Sequence, residues 1–150
     1  MKFRILLVDD HAMSRDALRL MLEMESDIEV VGEVSNGRDV LEAVKRTRPD
    51  VVCMDVNMPQ LNGIEATRQV LAEHASVKVI GLSVHASVAI VGLLCKVGAT
   101  GYVIKSDAGS ELPQAIRCVM QGQHYFSREL GVSSIAELER YMGHSVGPGP

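Results

Sequence analysis

The feature that most constrains the fold is an alternation of short apolar runs with longer segments of helical periodicity. Five runs rich in β-branched residues lie at positions 5–8, 29–34, 51–54, 77–82 and 102–104. The first, third and fourth runs are apolar at nearly every position, which is the pattern of strands buried on both faces. Such alternation is typical of βαβ units around a parallel sheet. We therefore predict an α/β fold with a doubly wound, five-stranded parallel sheet.

The remaining segments predict five helices. Their apolar residues recur at spacings of three and four, as in helices that bury one face. The predicted helices cover residues 14–25, 38–46, 64–73, 86–97 and 110–121. Ser110 is the predicted N-cap of the last helix, and Pro113 is tolerated there because it falls in the first turn.

At 150 residues the chain has room for one compact domain. We place this domain at residues 1–126. The end of the chain differs in composition, because residues 143–150 are rich in Gly and Pro. We interpret residues 127–150 as a linker or a truncated tail, with a possible short helix at 134–142.

Composition and charge exclude some functions for this segment. The net charge is −4 and no block of Lys or Arg is present, which argues against direct binding to nucleic acid phosphates. No apolar run approaches the roughly 20 residues that span a bilayer, and no signal peptide is visible. We therefore expect a cytoplasmic protein that makes no membrane contact.

A chemically coherent set of polar side chains follows the predicted strands. Two acids follow the first strand, one acid the third, a hydroxyl the fourth and an ammonium group the fifth: Asp9, Asp10, Asp55, Ser83 and Lys105. Each residue alone is usually a turn or capping residue. Together they are significant, because the carboxyl ends of parallel strands meet at one edge of the sheet, where ligands bind.

This set predicts a metal-assisted phosphoryl site. Neighbouring carboxylates repel one another unless a cation neutralises them, and hard oxygen ligands favour Mg²⁺. Lys105 and Ser83 can pair with the oxygens of a transferring phosphoryl group. A carboxylate can act as the nucleophile by forming an aspartyl phosphate. Asp55, which stands alone at the end of the central strand, is the predicted nucleophile.

Four segments resemble the receiver domain of two-component response regulators. They are ILLVDDH at 5–11, DVVCMDVNMPQLNGIEA at 50–66, VIGLSVHA at 79–86 and GATGYVIKS at 98–106, and the similarity runs to about residue 121. The sequences of these segments are similar to those of the NarL/FixJ subfamily, which carries a LuxR-type helix-turn-helix. The resemblance implies a flavodoxin-like sheet with strand order 2-1-3-4-5, flanked by five helices.

The resemblance also implies a role for each residue of the set. Asp55 is the residue that a cognate histidine kinase phosphorylates, and Ser83 and Lys105 bind the phosphoryl group. The implied Mg²⁺ ligands are Asp9, Asp10, Asp55 and the backbone carbonyl of Asn57. A Met-Pro turn matches Met58 and Pro59, and Gly63 matches the glycine that follows. Tyr102 matches the switch aromatic that changes rotamer when Ser83 moves, although a tyrosine that simply fills the core is the alternative.

We expect the switch to act by changing how the protein associates with itself or with a target. In the resembling family the fourth helix, fifth strand and fifth helix form a common dimer or target face, so we expect a homodimer. The residues after 130 do not predict a basic four-helix domain, so any DNA binding would need an output domain missing from this segment. Ile90, Leu93 and Val97 form a second apolar stripe on the fourth helix. This stripe is either a docking face or a surface covered by the tail after Ser127.

Two other functions remain open from the sequence. One is a Mg²⁺-dependent phosphatase that works through an aspartyl phosphate, and the other is a receiver-like binding module that is not phosphorylated. We favour a phosphoacceptor switch that is not an enzyme beyond self-phosphorylation from small donors and autodephosphorylation. His11 and His85 flank the acidic site, either as modulators of the phosphoryl lifetime or as surface residues near a cleft.

Overall fold

The computed structural model describes residues 1–58, 62–131 and 136–140, and its centre is one parallel sheet. The strand order is β2-β1-β3-β4-β5-β6, and every neighbouring pair is parallel. The strands are β1 Phe3–Val8, β2 Ile28–Val34, β3 Val51–Asp55, β4 Lys78–Ser83, β5 Gly101–Ile104 and β6 Tyr125–Phe126. The predicted α/β fold and the order of the first five strands are confirmed, and a sixth strand is added at the β5 edge.

In the described part of the chain, five α-helices cover the two faces of the sheet. They are α1 Ala12–Glu23, α2 Val40–Thr47, α3 Gly63–Glu73, α4 Val88–Lys96 and α5 Ala108–Met120. Apolar residues of α1 and α5 pack with one face of the strands, and those of α2, α3 and α4 pack with the other. β3 is buried at every position and β1 and β4 at most, as their apolar sequences predict. The sheet is thus a central layer between two layers of helices.

The start of α5 differs from the prediction. Ser110 is not its N-cap, because the helix begins at Ala108, directly after a 3₁₀ turn at Lys105–Asp107. The Ser110 hydroxyl instead donates a hydrogen bond to the Asp107 carbonyl at 3.1 Å. Pro113 consequently lies inside the helix rather than in its first turn. Because the 3₁₀ turn leads directly into α5, the helix begins earlier than its apolar periodicity predicts.

The sixth strand was not predicted because it has only two residues. Tyr125 and Phe126 pair with Gly101 and Tyr102 of β5, and two residues are too few to display a strand period. Helical residues are found at 136–140, within the predicted helix at 134–142, whose ends lie outside the described residues. No described helix has the length and hydropathy required to cross a membrane.

The start of α3 packs against the end of β3 at Gly63. A Cβ atom at this position would lie 2.3 Å from the Asp55 carbonyl oxygen and 2.7 Å from the Val56 Cα. Both are backbone atoms, which cannot move aside as a flexible side chain can. The absence of a side chain at Gly63 therefore permits the close approach of α3 to the strand that carries Asp55.

We expect Gly63→Ala to lower the free energy of unfolding by about 2 kcal/mol, in the range for overpacked sites. Gly109→Ala is the matched control, because a Cβ there would meet only the Met21 Sδ atom at 3.7 Å. That substitution lies in α5 and should leave stability equal or slightly higher, since Ala is the better helix former. Urea unfolding of both variants provides the measurement, and equal midpoints would contradict the packing argument.

Candidate functional site

Three carboxylates meet at the carboxyl edge of the sheet, where β1 and β3 lie side by side. Asp9 follows β1 directly and Asp55 ends β3, and the register pairs Val8 with Met54. Asp9 and Asp55 are each 1% exposed. Candidate ligand atoms of Asp9, Asp10, His11 and Asp55 all lie within 4.8 Å of one another. The predicted gathering of strand-end acids is therefore present in the fold.

Lys105 is the ammonium group that contacts this cluster. Its Nζ lies 2.9 Å from Asp9 Oδ2 and 3.2 Å from Asp55 Oδ2. The chain reaches this position through β5, which pairs with β4 up to Ile104. Burial lowers the pKa of Lys105, but the two carboxylates outweigh it, and the pKa lies above its ordinary value. Lys105 therefore stays protonated, and one positive charge faces three acids.

The two buried acids differ in how well their charge is compensated. Burial raises the pKa of the Asp55 carboxyl, and the Asn57 N–H and Lys105 offset this only in part, while Asp9 adds repulsion. Burial also raises the pKa of Asp9, but the His11 backbone N–H, the Ser14 side chain and the Lys105 ammonium outweigh it, so this pKa is lowered. Asp55 is thus the more basic carboxylate of the pair.

Backbone N–H groups orient both buried carboxylates. The His11 N–H donates to Asp9 Oδ1 and the Asn57 N–H donates to Asp55 Oδ1, each at 2.9 Å. These bonds occupy one oxygen of each acid and leave the other oxygen directed at the cluster. Asn57 therefore lies beside Asp55 as expected, and its carbonyl as a metal ligand stays a prediction. Met58 is buried, whereas Pro59 lies outside the described residues.

The donor set fits a hard divalent cation. Asp9 Oδ2 and Asp10 Oδ1 are buried without a well-formed hydrogen bond, although Lys105 and His11 lie 2.9 and 3.0 Å away. Buried carboxylate oxygens normally have a hydrogen-bond or metal partner. Oxygen ligands with excess negative charge are what Mg²⁺ and similar ions bind. The acidic cluster could therefore bind a metal ion.

Ser83 lies at the same edge, where its hydroxyl is bonded to a backbone carbonyl. It is the last residue of β4 and is half-buried. Its hydroxyl donates a hydrogen bond to the His85 carbonyl at 2.9 Å. A group bound at the acidic cluster would have to compete with the His85 carbonyl for the hydrogen bond of the Ser83 hydroxyl.

Tyr102 occupies an interior position on β5. It is 1% exposed, and its hydroxyl donates to the Ala99 carbonyl at 2.5 Å. Its ring stacks on Phe126 with centroids 5.0 Å apart. Burial raises the pKa of the phenol well above its ordinary value. Tyr102 fills the core here, and its role as a switch stays a prediction.

Sequence reasoning missed one residue at the site. Arg15 in α1 donates from Nη1 to the Asp9 carbonyl at 2.7 Å and from Nε to Glu33 at 3.1 Å, which fixes the turn after β1. No sequence signal marks Arg15, because a basic residue on a surface helix is commonplace. His11, which was predicted to flank the acidic site, contacts Asp10 through Nδ1 at 3.0 Å. His85 is exposed.

The predicted apolar stripe on α4 is not uniformly exposed. Leu93 is 44% exposed, whereas Ile90 and Val97 are half-buried. Ile90 packs against the core and shares a small cavity with Leu130 of the tail. The tail thus covers one end of the stripe and leaves Leu93 accessible.

The sequence matches a known family and several known proteins. The sequence matches the response regulator receiver domain family over residues 5–117. The transcriptional regulatory protein DegU of Brevibacillus brevis is 37% identical over 139 residues, which are 93% of this chain and 59% of that protein. The response regulator UvrY of Escherichia coli K12 is 40% identical over 126 residues, 84% of this chain and 58% of that protein. The chain therefore spans less than two thirds of these relatives.

Solved structures share the fold. A LuxR-family two-component response regulator from Aurantimonas sp. superposes with a TM-score of 0.85 at 30% identity, covering 95% of this chain and 99% of that one. The response regulator domain of Thermotoga maritima CheB gives 0.74 at 30% identity, covering 81% and 98%. The LuxR-family match agrees with the predicted NarL/FixJ subfamily. The strand-end acids, Lys105 and these similarities together show that the chain belongs to the receiver domain family of two-component response regulators.

Proposed function

We propose that this chain is a phosphoacceptor switch whose Asp55 takes a phosphoryl group from a cognate histidine kinase. The observation that carries the proposal is the setting of Asp55. It is a buried carboxylate with a raised pKa, and it lies 3.2 Å from the Lys105 ammonium beside the acids Asp9 and Asp10. A basic, oriented carboxylate next to a fixed cation is suited to attack phosphorus.

The metal in this proposal is Mg²⁺, held by Asp9, Asp10, Asp55 and the Asn57 carbonyl. When bound, it supplies positive charge that the cluster lacks and that a phosphoryl group needs. The buried, poorly satisfied oxygens of Asp9 and Asp10 support this assignment. Lys105 is already placed to pair with a phosphoryl oxygen once Asp55 is phosphorylated.

The chemical step is a transfer between two side chains. An oxygen of the Asp55 carboxylate attacks the phosphorus of a phosphohistidine on the kinase. The new P–O bond forms as the P–N bond breaks, and the departing imidazole nitrogen takes up a proton from solvent. The added charge then competes with the His85 carbonyl for the Ser83 hydroxyl. We infer that Ser83 turns toward Asp55 and that Tyr102 and α4 respond.

The downstream partners also belong to the proposal. The face formed by α4, β5 and α5 would control homodimerisation or an output domain outside this segment. DegU is named a transcriptional regulatory protein, which supports a transcriptional output through which DNA is bound. This function does not include repeated catalytic turnover. At most, the chain accepts a phosphoryl group from a small donor and later loses it by autodephosphorylation.

The metal assignment predicts thermal stabilisation by Mg²⁺. At about 100 times the dissociation constant, a ligand adds about 2.7 kcal/mol, which corresponds to a rise of roughly 5–10 °C in Tm at this chain length. Asp10→Asn should lose most of this rise. Asp16→Asn is the matched control, because Asp16 is an exposed acid paired with Arg19 on α1, and it should keep the full rise. Equal Mg²⁺ responses in both variants would exclude the site.

The phosphoryl assignment predicts one adduct on Asp55. The chain, incubated with Mg²⁺ and acetyl phosphate, should gain the mass of a single phosphoryl group in intact mass spectrometry. Asp55→Asn should gain none, and Asp16→Asn should behave as the wild type does. Release of many phosphate equivalents per chain would indicate the phosphatase instead, and the absence of any adduct would favour a binding module.

A further inference from the structure

The chain that follows α5 returns to the sheet and closes the edge beside Tyr102. We name residues 125–130 the tail latch. Its first two residues form β6, and the Tyr125 N–H donates to the Thr100 carbonyl at 2.9 Å. The Ser127 N–H donates to the carbonyl of Tyr102 itself at 2.8 Å. The backbone of Tyr102 is therefore held directly by the latch.

Apolar contacts attach the latch to the same residue. The Phe126 ring lies over the Tyr102 ring, with 21° between the ring planes. Leu130 is 7% exposed and belongs to the same apolar cluster as Tyr102 and Leu94 of α4. Farther along, Leu138 is 2% exposed and joins this cluster too. The latch thus packs on Tyr102 and on part of α4, and it keeps Tyr102 in its interior position.

A buried carboxylate of α5 anchors the latch. Glu111 is 8% exposed and accepts hydrogen bonds from the Tyr125 hydroxyl at 2.6 Å and the Ser127 hydroxyl at 2.7 Å. The Arg128 N–H adds a third at 3.4 Å. Within the described residues, all hydrogen bonds recorded for this carboxylate come from the latch. Because a buried carboxylate without donors is costly, Glu111 favours the docked tail.

The latch also limits where Ser83 can pack. Ser83, Tyr102, Ile90 and Leu130 line one cavity of about 10 Å³, near the lower limit for a single water molecule. With Tyr102 and Leu130 in place, the α4 side of Ser83 is filled. On leaving the His85 carbonyl, the Ser83 hydroxyl therefore has little space on the side of Tyr102 and Leu130.

We propose that Glu111, Tyr125, Phe126 and Ser127 are positioning residues, which hold Tyr102 inward through the docked latch and so favour the phosphorylated arrangement of Ser83. This inference rests on the proposed function of Asp55. If the docked latch favours phosphorylation of Asp55, then by linkage phosphorylation must stabilise the docked latch by the same factor. We expect a factor of about five, at the lower end of measured couplings between sites.

The first test uses the wild-type chain, with Mg²⁺ and beryllofluoride as the phosphoryl analogue. Hydrogen exchange at the Tyr125 and Ser127 amides reports latch opening, since both amides bond to β5 and its preceding residue. Their protection should rise about fivefold when the analogue saturates the site. Asp55→Asn, which lacks the acceptor carboxylate, should show no rise.

The second test weakens the latch without changing the acidic site. The Tyr125→Phe/Ser127→Ala variant removes two donors to Glu111 and should weaken beryllofluoride binding about fivefold in a fluorine NMR titration. Ser110→Ala is the matched control, because its hydroxyl lies on α5 but bonds to the Asp107 carbonyl. That variant should bind the analogue as the wild type does. The same loss in both variants would overturn the inference.

The outcomes separate this inference from the function on which it rests. If the wild type binds the analogue but the protection of both amides stays constant, the latch does not couple to Asp55, and the phosphoacceptor function stands. If the wild type fails to bind the analogue, both proposals are overturned. The wild-type exchange measurement decides the matter even if the double variant does not fold.

Discussion

The charge imbalance at the carboxyl edge of the sheet is the constraint on which the rest of this structure depends. Asp9, Asp10 and Asp55 are held within a few ångströms of one another, and the Lys105 ammonium contacts Asp9 and Asp55. Close carboxylates raise one another's pKa and destabilise the fold unless a cation or hydrogen bonds compensate them. The excess negative charge means that the site could bind a metal ion.

The scaffold keeps this unfavourable cluster in place through close packing around it. β1 and β3 are buried strands at the centre of the sheet, so their ends cannot separate without exposing the core. Gly63 lets α3 approach the backbone at Asp55, and Arg15 ties the turn after β1 to α1. The stability of the apolar layers thus offsets the electrostatic strain at the edge, as is common for functional sites.

The same edge is connected to the end of the chain through β4 and β5. Ser83 and Tyr102 lie on neighbouring strands, and the tail latch contacts Tyr102 through its backbone and its ring. Burial of Glu111 against the latch adds a polar anchor to these apolar contacts. Asp55 and the residues near position 130 are thereby connected through neighbouring strands that contact one another.

The sequence by itself determined the first five strands, the five helices between and after them, and the gathering of polar residues at the strand ends, because apolar periodicity is a local property and parallel strands bring their carboxyl ends together. For this reason Asp9, Asp10, Asp55 and Lys105 are recognisable from the sequence alone. Tertiary structure decided what local pattern does not encode: the early start of α5 before Ser110, the short β6, the contact of Arg15 with Asp9 and the partial covering of the Ile90, Leu93 and Val97 stripe. Each depends on residues far apart in the chain or on a turn without periodicity, so only packing of the whole domain specifies it.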